Sequence, residues 1–265
     1  MTMPFLENTV QNVVYMTTPG ITAKHAFTTR RGGASSGAFS SLNLGMNLGD
    51  DPGCVRENYA ILCGALGIDS DCIVRSAQVH GRNVRIVASS DRAALFQPPA
   101  CEADAMITCE PGVALIIYTA DCVPILLHDP VRGVISAVHA GWRGSAADIC
   151  GAVVERMKGE FGCVPSDIRA AIGPCIGGCC YEIGAMVCDM LRTALGSEAE
   201  HCVTAGLNEG KYMADLGEAN RCLLQKAGVT DISMSRECTM CSNEKYWSHR
   251  YTGGSRGSQA ALILL

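Results

Sequence analysis

Two histidines and one cysteine stand where apolar runs of the sequence end and loops begin. His80 lies in Gln78-Val79-His80-Gly81, Cys122 lies between two apolar runs, and His139 ends a further apolar run. A rigid strand can hold a side chain at its end so that it points into a cleft. Two imidazoles and a thiolate are ligands that suit Zn²⁺, with a fourth coordination position open for water or substrate. We therefore predict one zinc site built from these three residues.

The same residues allow two other interpretations. In one, Cys122 is a nucleophile and His139 its general base, as in a cysteine amidase or hydrolase, and His80 has no task. In the other, ordinary hydrogen bonds satisfy both histidines and Cys122 is a buried thiol. The three residues are far apart along the chain, so their spacing does not decide between these interpretations.

The segment after His139 has the features of an anion site. Gly141 and Gly144 flank Trp142-Arg143, and helical periodicity begins directly afterwards. A glycine-rich turn that leads into a helix offers free N–H groups and a favourable dipole to an anion, and Arg143 adds a planar bidentate donor. The sequence predicts a phosphate site here, and a surface arginine on a tight turn fits the pattern equally well.

A second cysteine pattern lies near the end of the chain. Cys238-Thr239-Met240-Cys241 has the spacing of half a zinc knuckle. Three residues separate Cys175 from Cys179 and none separates Cys179 from Cys180, so a second pair with matching spacing is missing. We interpret these residues as structural thiols in preference to a second metal site.

Composition limits the class of protein. The chain has 265 residues, 48% of them hydrophobic, and a net charge of −5. Without a basic cluster, a nucleic-acid partner is not expected, because such affinity comes mainly from phosphate neutralisation. No repeat or linker interrupts the sequence, so we expect a single domain over residues 1–265.

Cysteine usage and hydropathy indicate the compartment. Many of the 16 cysteines fall inside apolar runs, such as Cys150, Cys188 and Cys222, where a thiol acts as a small hydrophobe. Residues 1–10 lack the pattern of a signal peptide, and the longest apolar runs have the length of a strand. We expect a cytoplasmic protein with reduced thiols and no membrane segment.

Periodicity predicts a mixture of helices and strands that do not alternate strictly. Residues 30–53 are rich in Gly, Ser and Asn and are typical of ordered loops. The predicted helices span residues 52–66, 145–161, 183–195 and 214–227. The predicted strands span residues 73–79, 83–88, 113–118, 123–127, 134–138, 168–172, 231–235 and 260–264. This order favours a mixed α/β or α+β domain over a doubly wound parallel sheet.

Several segments together resemble one family. They are Thr29-Arg30 with Gly32-Gly33, Ser41-Leu42-Asn43-Leu44-Gly45, Gln78-Val79-His80-Gly81, Ala120-Asp121-Cys122-Val123-Pro124, His139-Ala140-Gly141-Trp142-Arg143-Gly144, Ile172-Gly173-Pro174-Cys175-Ile176 and Cys180-Tyr181-Glu182. Over residues 27–259 the chain resembles the YfiH-type, laccase-domain purine nucleoside phosphorylases, a family once labelled polyphenol oxidase.

The resemblance implies a fold, a metal and an activity. The fold is a single α/β domain with β-sheets layered between helices, related in shape to a bacterial toxin deamidase. Zinc is held by the family's His, Cys and His, which fall on His80, Cys122 and His139. The activity is phosphorolysis of adenosine, inosine, guanosine and methylthioadenosine, together with adenosine deamination. Purine nucleosides and phosphate are then the partners, and the oligomeric state stays open.

Copper is the less favoured metal. Older proposals for the family named copper and phenol oxidation, but reducing O₂ to water takes several coppers and more histidines than the six in this chain.

Other residues receive roles under this resemblance. Arg143 shares the phosphate charge, and Asp121 either orients its neighbour Cys122, carries a proton or forms a structural salt bridge. Gln78, Arg30 and Asn43 are candidates for contacts with the base or the ribose. One segment departs from the family, which usually has Ser-Tyr-Arg-Arg where this chain has Ser248-His249-Arg250-Tyr251. The contribution of this segment to substrate binding therefore stays open.

Overall fold

Residues 3–92, 95–99 and 101–265, described by a computed structural model, form 15 strands and seven α-helices. The strands are β1 (Leu6–Val10), β2 (Val13–Thr17), β3 (Lys24–Thr28), β4 (Ile73–Val74), β5 (Val84–Ile86), β6 (Ala105–Thr108), β7 (Ala114–Thr119), β8 (Val123–Asp129), β9 (Val134–Ala140), β10 (Arg169–Ile172), β11 (Glu182–Gly184), β12 (Val203–Ala205), β13 (Lys211–Ala214), β14 (Asp231–Met234) and β15 (Gln259–Leu264). The helices are α1 (Pro52–Leu66), α2 (Trp142–Ala146), α3 (Ile149–Phe161), α4 (Ala185–Leu195), α5 (Ala199–Cys202), α6 (Leu216–Lys226) and α7 (His249–Thr252). Residues 1 and 2, which begin the segment compared with a signal peptide, lie outside these ranges.

Two six-stranded sheets form the centre of the domain. The first has the order β1-β2-β3-β15-β7-β4, and the second has the order β14-β10-β8-β9-β6-β5. Most neighbours are antiparallel, whereas β4 with β7, β5 with β6 and β10 with β14 are parallel. A small third sheet has the order β11-β13-β12. The prediction of a mixed fold, with several sheets flanked by helices, is confirmed.

The order of the layers follows from which faces of the two sheets are buried, and against what. Every residue of β8 and β9 is buried, as expected for strands that are covered on both sides. One apolar cluster, including Phe27, Leu115 and Ile135, joins the two sheets to each other. A second cluster packs α1 on the outer face of the first sheet, and a third packs α3, α4 and α6 on the outer face of the second. The order of layers is therefore helix, sheet, sheet, helices.

The predicted helix over residues 145–161 is wrong as a single element. The chain forms α2 and then α3, with a break at Asp148, whose φ is 56°. The Asp148 side chain accepts a hydrogen bond from Gly151 N at 2.9 Å and so caps α3. Because α2 has only five residues, the helix that begins beside Arg143 lacks most of the dipole expected there.

Other boundaries differ for identifiable reasons. The predicted strand over residues 73–79 shortens to β4, and Ala77 forms an isolated bridge with Glu102 instead. The predicted helix over residues 183–195 begins two residues later, after β11. Seven strands were not predicted, namely β1, β2, β3, β6, β11, β12 and β13. Two of these, β1 and β12, expose most of their residues and therefore lack an apolar pattern.

None of the helices in the described ranges combines the length and the apolar character needed to cross a membrane. All 16 cysteines are free thiols. Cys150, Cys188 and Cys222 lie in the apolar cluster beneath the second sheet, as their sequence setting predicts.

Candidate metal centre

The fold brings the three predicted ligands together from three separate segments. His80 follows β4, Cys122 lies in the turn between β7 and β8, and His139 lies in β9. Their ligand atoms all lie within 4.8 Å of one another. The two imidazole rings meet edge to face, with centroids 4.8 Å apart. The arrangement is that of a three-ligand metal site, and occupation by a metal stays a prediction.

The site is closed on one side and open on the other. His139 is buried, Cys122 is half-buried and His80 is exposed. A bound group could therefore reach solvent past His80. His80 has a φ of 58°, a left-handed conformation that a non-glycine residue adopts only when its surroundings hold it there.

A buried carboxylate that the sequence analysis missed holds this conformation. Asp104 Oδ1 accepts hydrogen bonds from His80 N at 2.9 Å and from His139 Nδ1 at 2.8 Å, and Oδ2 accepts one from Gly81 N at 2.7 Å. The His139 ring is thereby oriented with its other nitrogen available to a ligand. Asp104 directly precedes β6. Because that strand was not predicted, the sequence did not mark Asp104 as a residue at a strand end.

Hydrogen bonds within the cluster favour a charged pair. Burial raises the pKa of the Cys122 thiol, but hydrogen bonds with His139 and His80 outweigh burial and bring its pKa to about 6. Burial lowers the pKa of His139, and hydrogen bonds to Asp104 and Cys122 reverse this and raise it to about 9. Cys122 is therefore largely a thiolate near neutral pH, which is the form that binds a metal or attacks an electrophile.

The residues present fit zinc better than a copper cluster. A Cβ added to Gly141 would lie 3.1 Å from His80 Cδ2 and 3.2 Å from Cys122 Sγ, so a side chain here would push against both ligands. Two imidazoles, one thiolate and an orienting carboxylate form a common zinc set. In the described part of the chain, the other close group of metal-binding side chains consists of four cysteines. Neither group has the number of histidines that several coppers need.

Asp121 forms hydrogen bonds to three segments of the fold. Its Oδ1 accepts a hydrogen bond from Thr239 Oγ1 at 2.7 Å, and its Oδ2 accepts one from Arg250 N at 2.7 Å. Its backbone oxygen accepts from Ile176 N at 3.0 Å. These partners are a hydroxyl and backbone N–H groups. Asp121, which precedes Cys122, is thereby hydrogen-bonded to three distant segments of the chain, and its part in the chemistry stays a prediction.

The side chains of the three residues predicted to contact substrate already form hydrogen bonds within the protein. Arg30, Asn43 and Gln78 each use most of their polar atoms on nearby backbone. Arg30 donates to Ser40 O and Asn243 O, Asn43 bonds Gly45 N, Ser258 N and Asp50 Oδ2, and Gln78 bonds both the N–H and the C=O of Tyr118. The Arg30 guanidinium also lies 3.9 Å from the Trp247 ring centroid. These side chains have little hydrogen-bonding capacity left for a nucleoside.

The side chain of Arg143, in contrast, is not used by the fold. Its side chain is exposed and its guanidinium lies 4.2 Å from the centroid of the Trp142 ring. It follows Gly141, the residue that passes the ligand cluster, by two positions. Within the described ranges its side chain has neither a hydrogen bond nor an ion pair, so its donors are available to an anion.

Arg256 is a second cation that the sequence analysis did not assign. Its Nη1 donates to Gly257 O at 2.9 Å and to Ser258 Oγ at 3.0 Å. Its Nε is buried and has no hydrogen-bond partner among the described residues. Burial lowers the pKa of Arg256, and the nearby charges of Asp121 and Cys122 oppose this. A buried donor beside the ligand cluster without a partner is what an anionic ligand would complete.

Comparison with known proteins identifies relatives of this chain. The family model described as multi-copper polyphenol oxidoreductase laccase matches residues 24–265. A purine nucleoside phosphorylase of Deinococcus radiodurans is 42% identical over 246 residues, which cover 92% of this chain and 90% of that protein. The purine nucleoside phosphorylase YlmD of Geobacillus stearothermophilus is 40% identical over 241 residues, covering 89% of this chain and 88% of that one. The crystal structure of YlmD from that organism superposes with a TM-score of 0.92, covering 98% of this chain and 99% of that chain at 36% identity.

Proposed function

Because the chain belongs to the multi-copper polyphenol oxidoreductase laccase family, we propose that it is a zinc-dependent purine nucleoside phosphorylase. Its substrates would be adenosine, inosine, guanosine and methylthioadenosine with inorganic phosphate, and it would also deaminate adenosine. The observation that carries the proposal is the convergence of His80, Cys122 and His139 within 4.8 Å, in a chain whose relatives are named purine nucleoside phosphorylases.

The ligand cluster would hold zinc through the His80 and His139 rings and the Cys122 thiolate. Zinc in a three-ligand site polarises a bound oxygen and lowers the pKa of bound water towards about 7. Asp104 keeps the His139 ring in the orientation that ligation needs, since Nδ1 is engaged at 2.8 Å. Gly141 leaves the space beside Cys122 Sγ free of a side chain.

Phosphorolysis also requires a held anion. An oxygen of phosphate attacks C1′ of the ribose, the bond from C1′ to the purine nitrogen breaks, and the purine leaves with a proton. Arg143, with unengaged donors, and Arg256, with a buried unpartnered Nε, are the cations suited to hold that phosphate. Deamination needs water at C6 of the purine and no phosphate, so the two activities should depend differently on these arginines.

An incubation of zinc-replete protein with adenosine, with and without phosphate, tests the proposal. Chromatography should show adenine only when phosphate is present, and inosine under both conditions. Hypoxanthine should follow when inosine meets phosphate. Cys122→Ser is the control, since it removes a ligand and should abolish all three products. The proposal fails if zinc-replete protein converts none of the four nucleosides.

One observation favours a second candidate, a cysteine amidase or hydrolase. His139 lies between the Cys122 thiol and the Asp104 carboxylate, which is the order of a nucleophile, a base and an orienting acid. His80 has no task in that mechanism. Alkylation of the purified, zinc-replete protein separates the two: a ligand thiolate at Cys122 is protected, whereas a free nucleophile reacts quickly.

The proposal extends to the domain and the compartment. We infer that residues 1–265 act as one catalytic domain, because the two central sheets share one apolar cluster. We also infer that it works in the cytoplasm, where a thiolate such as Cys122 stays reduced. Purine nucleosides and phosphate are its partners in this proposal, and nucleic acid is not.

A further inference from the structure

We propose that Cys179, Cys180, Cys238 and Cys241 hold a second zinc ion, which is structural. The sequence pattern alone argues against this, since it shows half a knuckle and no matching pair. The fold supplies the missing half. The turn after β10 brings Cys179 and Cys180 against the turn that contains Cys238 and Cys241, about sixty positions further along the chain.

The distances fit a metal and not a covalent bond. All four sulfur atoms lie within 4.8 Å of one another. Cys241 Sγ lies 3.6 Å from Cys179 Sγ and 3.4 Å from Cys180 Sγ. A tetrahedral zinc ion with Zn–S bonds of about 2.3 Å has sulfur atoms about 3.8 Å apart. A disulfide needs about 2.05 Å, so oxidation would require these sulfur atoms to move closer together.

The backbone around Cys238 is arranged as it is around a thiolate ligand. Gly177 N donates to Cys238 Sγ at 3.2 Å. Thr239 N donates to Cys175 O at 3.0 Å, which joins the two turns through the backbone as well. N–H donors to a ligating sulfur orient it and offset its charge. The four cysteines therefore sit on two turns that are already paired.

The site is linked to the proposed catalytic cluster through Asp121. Ile176, on the first turn, donates its N–H to Asp121 O at 3.0 Å. Thr239, on the second turn, donates its hydroxyl to Asp121 Oδ1 at 2.7 Å. An ion that holds the two turns together thus holds two of the three hydrogen bonds of Asp121, the residue that precedes Cys122. We infer that this ion positions the Cys122 thiol.

Zinc content measured on a set of variants tests the proposal. Wild-type protein should contain two zinc ions per chain, and Cys241→Ser should contain one, because Cys241 contacts both Cys179 and Cys180. Cys109→Ser, which replaces an exposed cysteine outside the group, should keep both. Cys241→Ser protein with as much zinc as wild type would overturn the proposal, and iron in this site would overturn the zinc assignment.

The same set separates this proposal from the proposed function. Cys122→Ser empties the catalytic cluster and should leave one zinc in the four-cysteine site. If the catalytic cluster binds no zinc, wild type and Cys122→Ser will both contain one zinc and Cys241→Ser none. If Cys241→Ser does not fold, cobalt replaces zinc in the wild-type protein. Intense sulfur-to-cobalt absorption from four thiolates supports the site, and absorption from a single thiolate refutes it.

The positioning role needs a measurement that loss of stability alone would not change. We expect the catalytic cluster of Cys241→Ser to bind zinc several-fold more weakly than that of Cys109→Ser in competition with a chelator, under conditions where both are fully folded. Equal affinities would refute the link through Asp121.

Discussion

Replacement of Asp104 by asparagine tests whether this carboxylate builds the metal site. The change keeps the size of the side chain and removes one acceptor. In the native protein Oδ1 accepts from His80 N and His139 Nδ1, while Oδ2 accepts from Gly81 N. An asparagine has one carbonyl oxygen and one NH₂ group. Whichever way the amide turns, its NH₂ group therefore faces an N–H donor that it cannot satisfy.

The size of the effect follows from these contacts. If the amide oxygen faces His80 and His139, the half-buried Gly81 N–H loses its partner, which costs about 1 kcal/mol of the free energy of unfolding, the lower end of the range for a buried donor. If it turns the other way, His139 loses the acceptor that orients its ring. Loss of such a partner typically lowers metal affinity by about 10- to 100-fold, or about 1.4 to 2.8 kcal/mol. We expect this second orientation, since the NH₂ group can then donate to an unprotonated His139 Nδ1. It also leaves His80 N without its acceptor, so Asp104→Asn should lose both metal affinity and stability.

Asp129→Asn is a matched control. Asp129 is fully buried, and its Oδ1 accepts hydrogen bonds from Val131 N at 2.8 Å and Arg132 N at 2.9 Å. It ends β8, seven positions from Cys122, which is about 23 Å along an extended strand. Because Asp129 Oδ2 has no hydrogen-bond partner among the described residues, an asparagine there can keep both bonds. Urea denaturation should therefore show a smaller loss of stability for Asp129→Asn than for Asp104→Asn, and chelator competition should show that only Asp104→Asn binds zinc more weakly. Zinc affinities that agree within about threefold, a small part of the expected loss, would refute the role of Asp104.

Three further predictions concern Arg143, the cysteines and Asp148. Arg143→Ala should keep its zinc and lose phosphorolysis by about 100-fold, while deamination, which uses no phosphate, should fall much less. Arg143→Lys should restore part of the lost phosphorolysis. Equal loss of both activities in Arg143→Ala would refute a phosphate role. Mild reductant should leave the melting temperature unchanged while the metal stays bound, since all 16 cysteines are free thiols; a clear drop would reveal a stabilising disulfide. Asp148→Ala should lower the free energy of unfolding in urea by about 1 to 2 kcal/mol, because it removes the cap of α3 at a φ of 56°; an unchanged midpoint would contradict this.

Local signals predict local structure well in this chain. Helix α1 has the predicted bounds because its ends carry strong signals. Asp51 accepts from Gly53 N and Cys54 N at its start, Pro52 occupies its first position, and Gly67 ends it in a left-handed conformation. The central strands β8 and β9 are also found from their continuous apolar runs. Asp148 shows the limit, since a cap inside an otherwise helical pattern is hard to distinguish from an exposed helical residue.

Contacts between distant segments are where sequence reasoning stops. Spacing alone could not decide whether His80, Cys122 and His139 meet, and only the resemblance to a family favoured it. Asp104 joins two of these residues, yet nothing beside it in the sequence predicts a hydrogen bond to His139. In the same way, Cys179 and Cys238 lie on turns that meet only because β10 and β14 are neighbours in one sheet. Such pairings depend on strand order, which periodicity does not determine.

The charges around the cluster explain why a phosphate-using enzyme would need both arginines. Asp104, Asp121 and the Cys122 thiolate bring three negative charges into one partly buried region. One divalent ion offsets only part of that charge, and a phosphate anion would still meet net repulsion where water is scarce. Arg256, with its unpartnered Nε, and the exposed Arg143 would supply the remaining positive charge, one from near the end of the sequence and one from its middle. Under the proposed function, the two carboxylates hold the ligands in place, and the two arginines would offset their charge so that the same site can bind an anion.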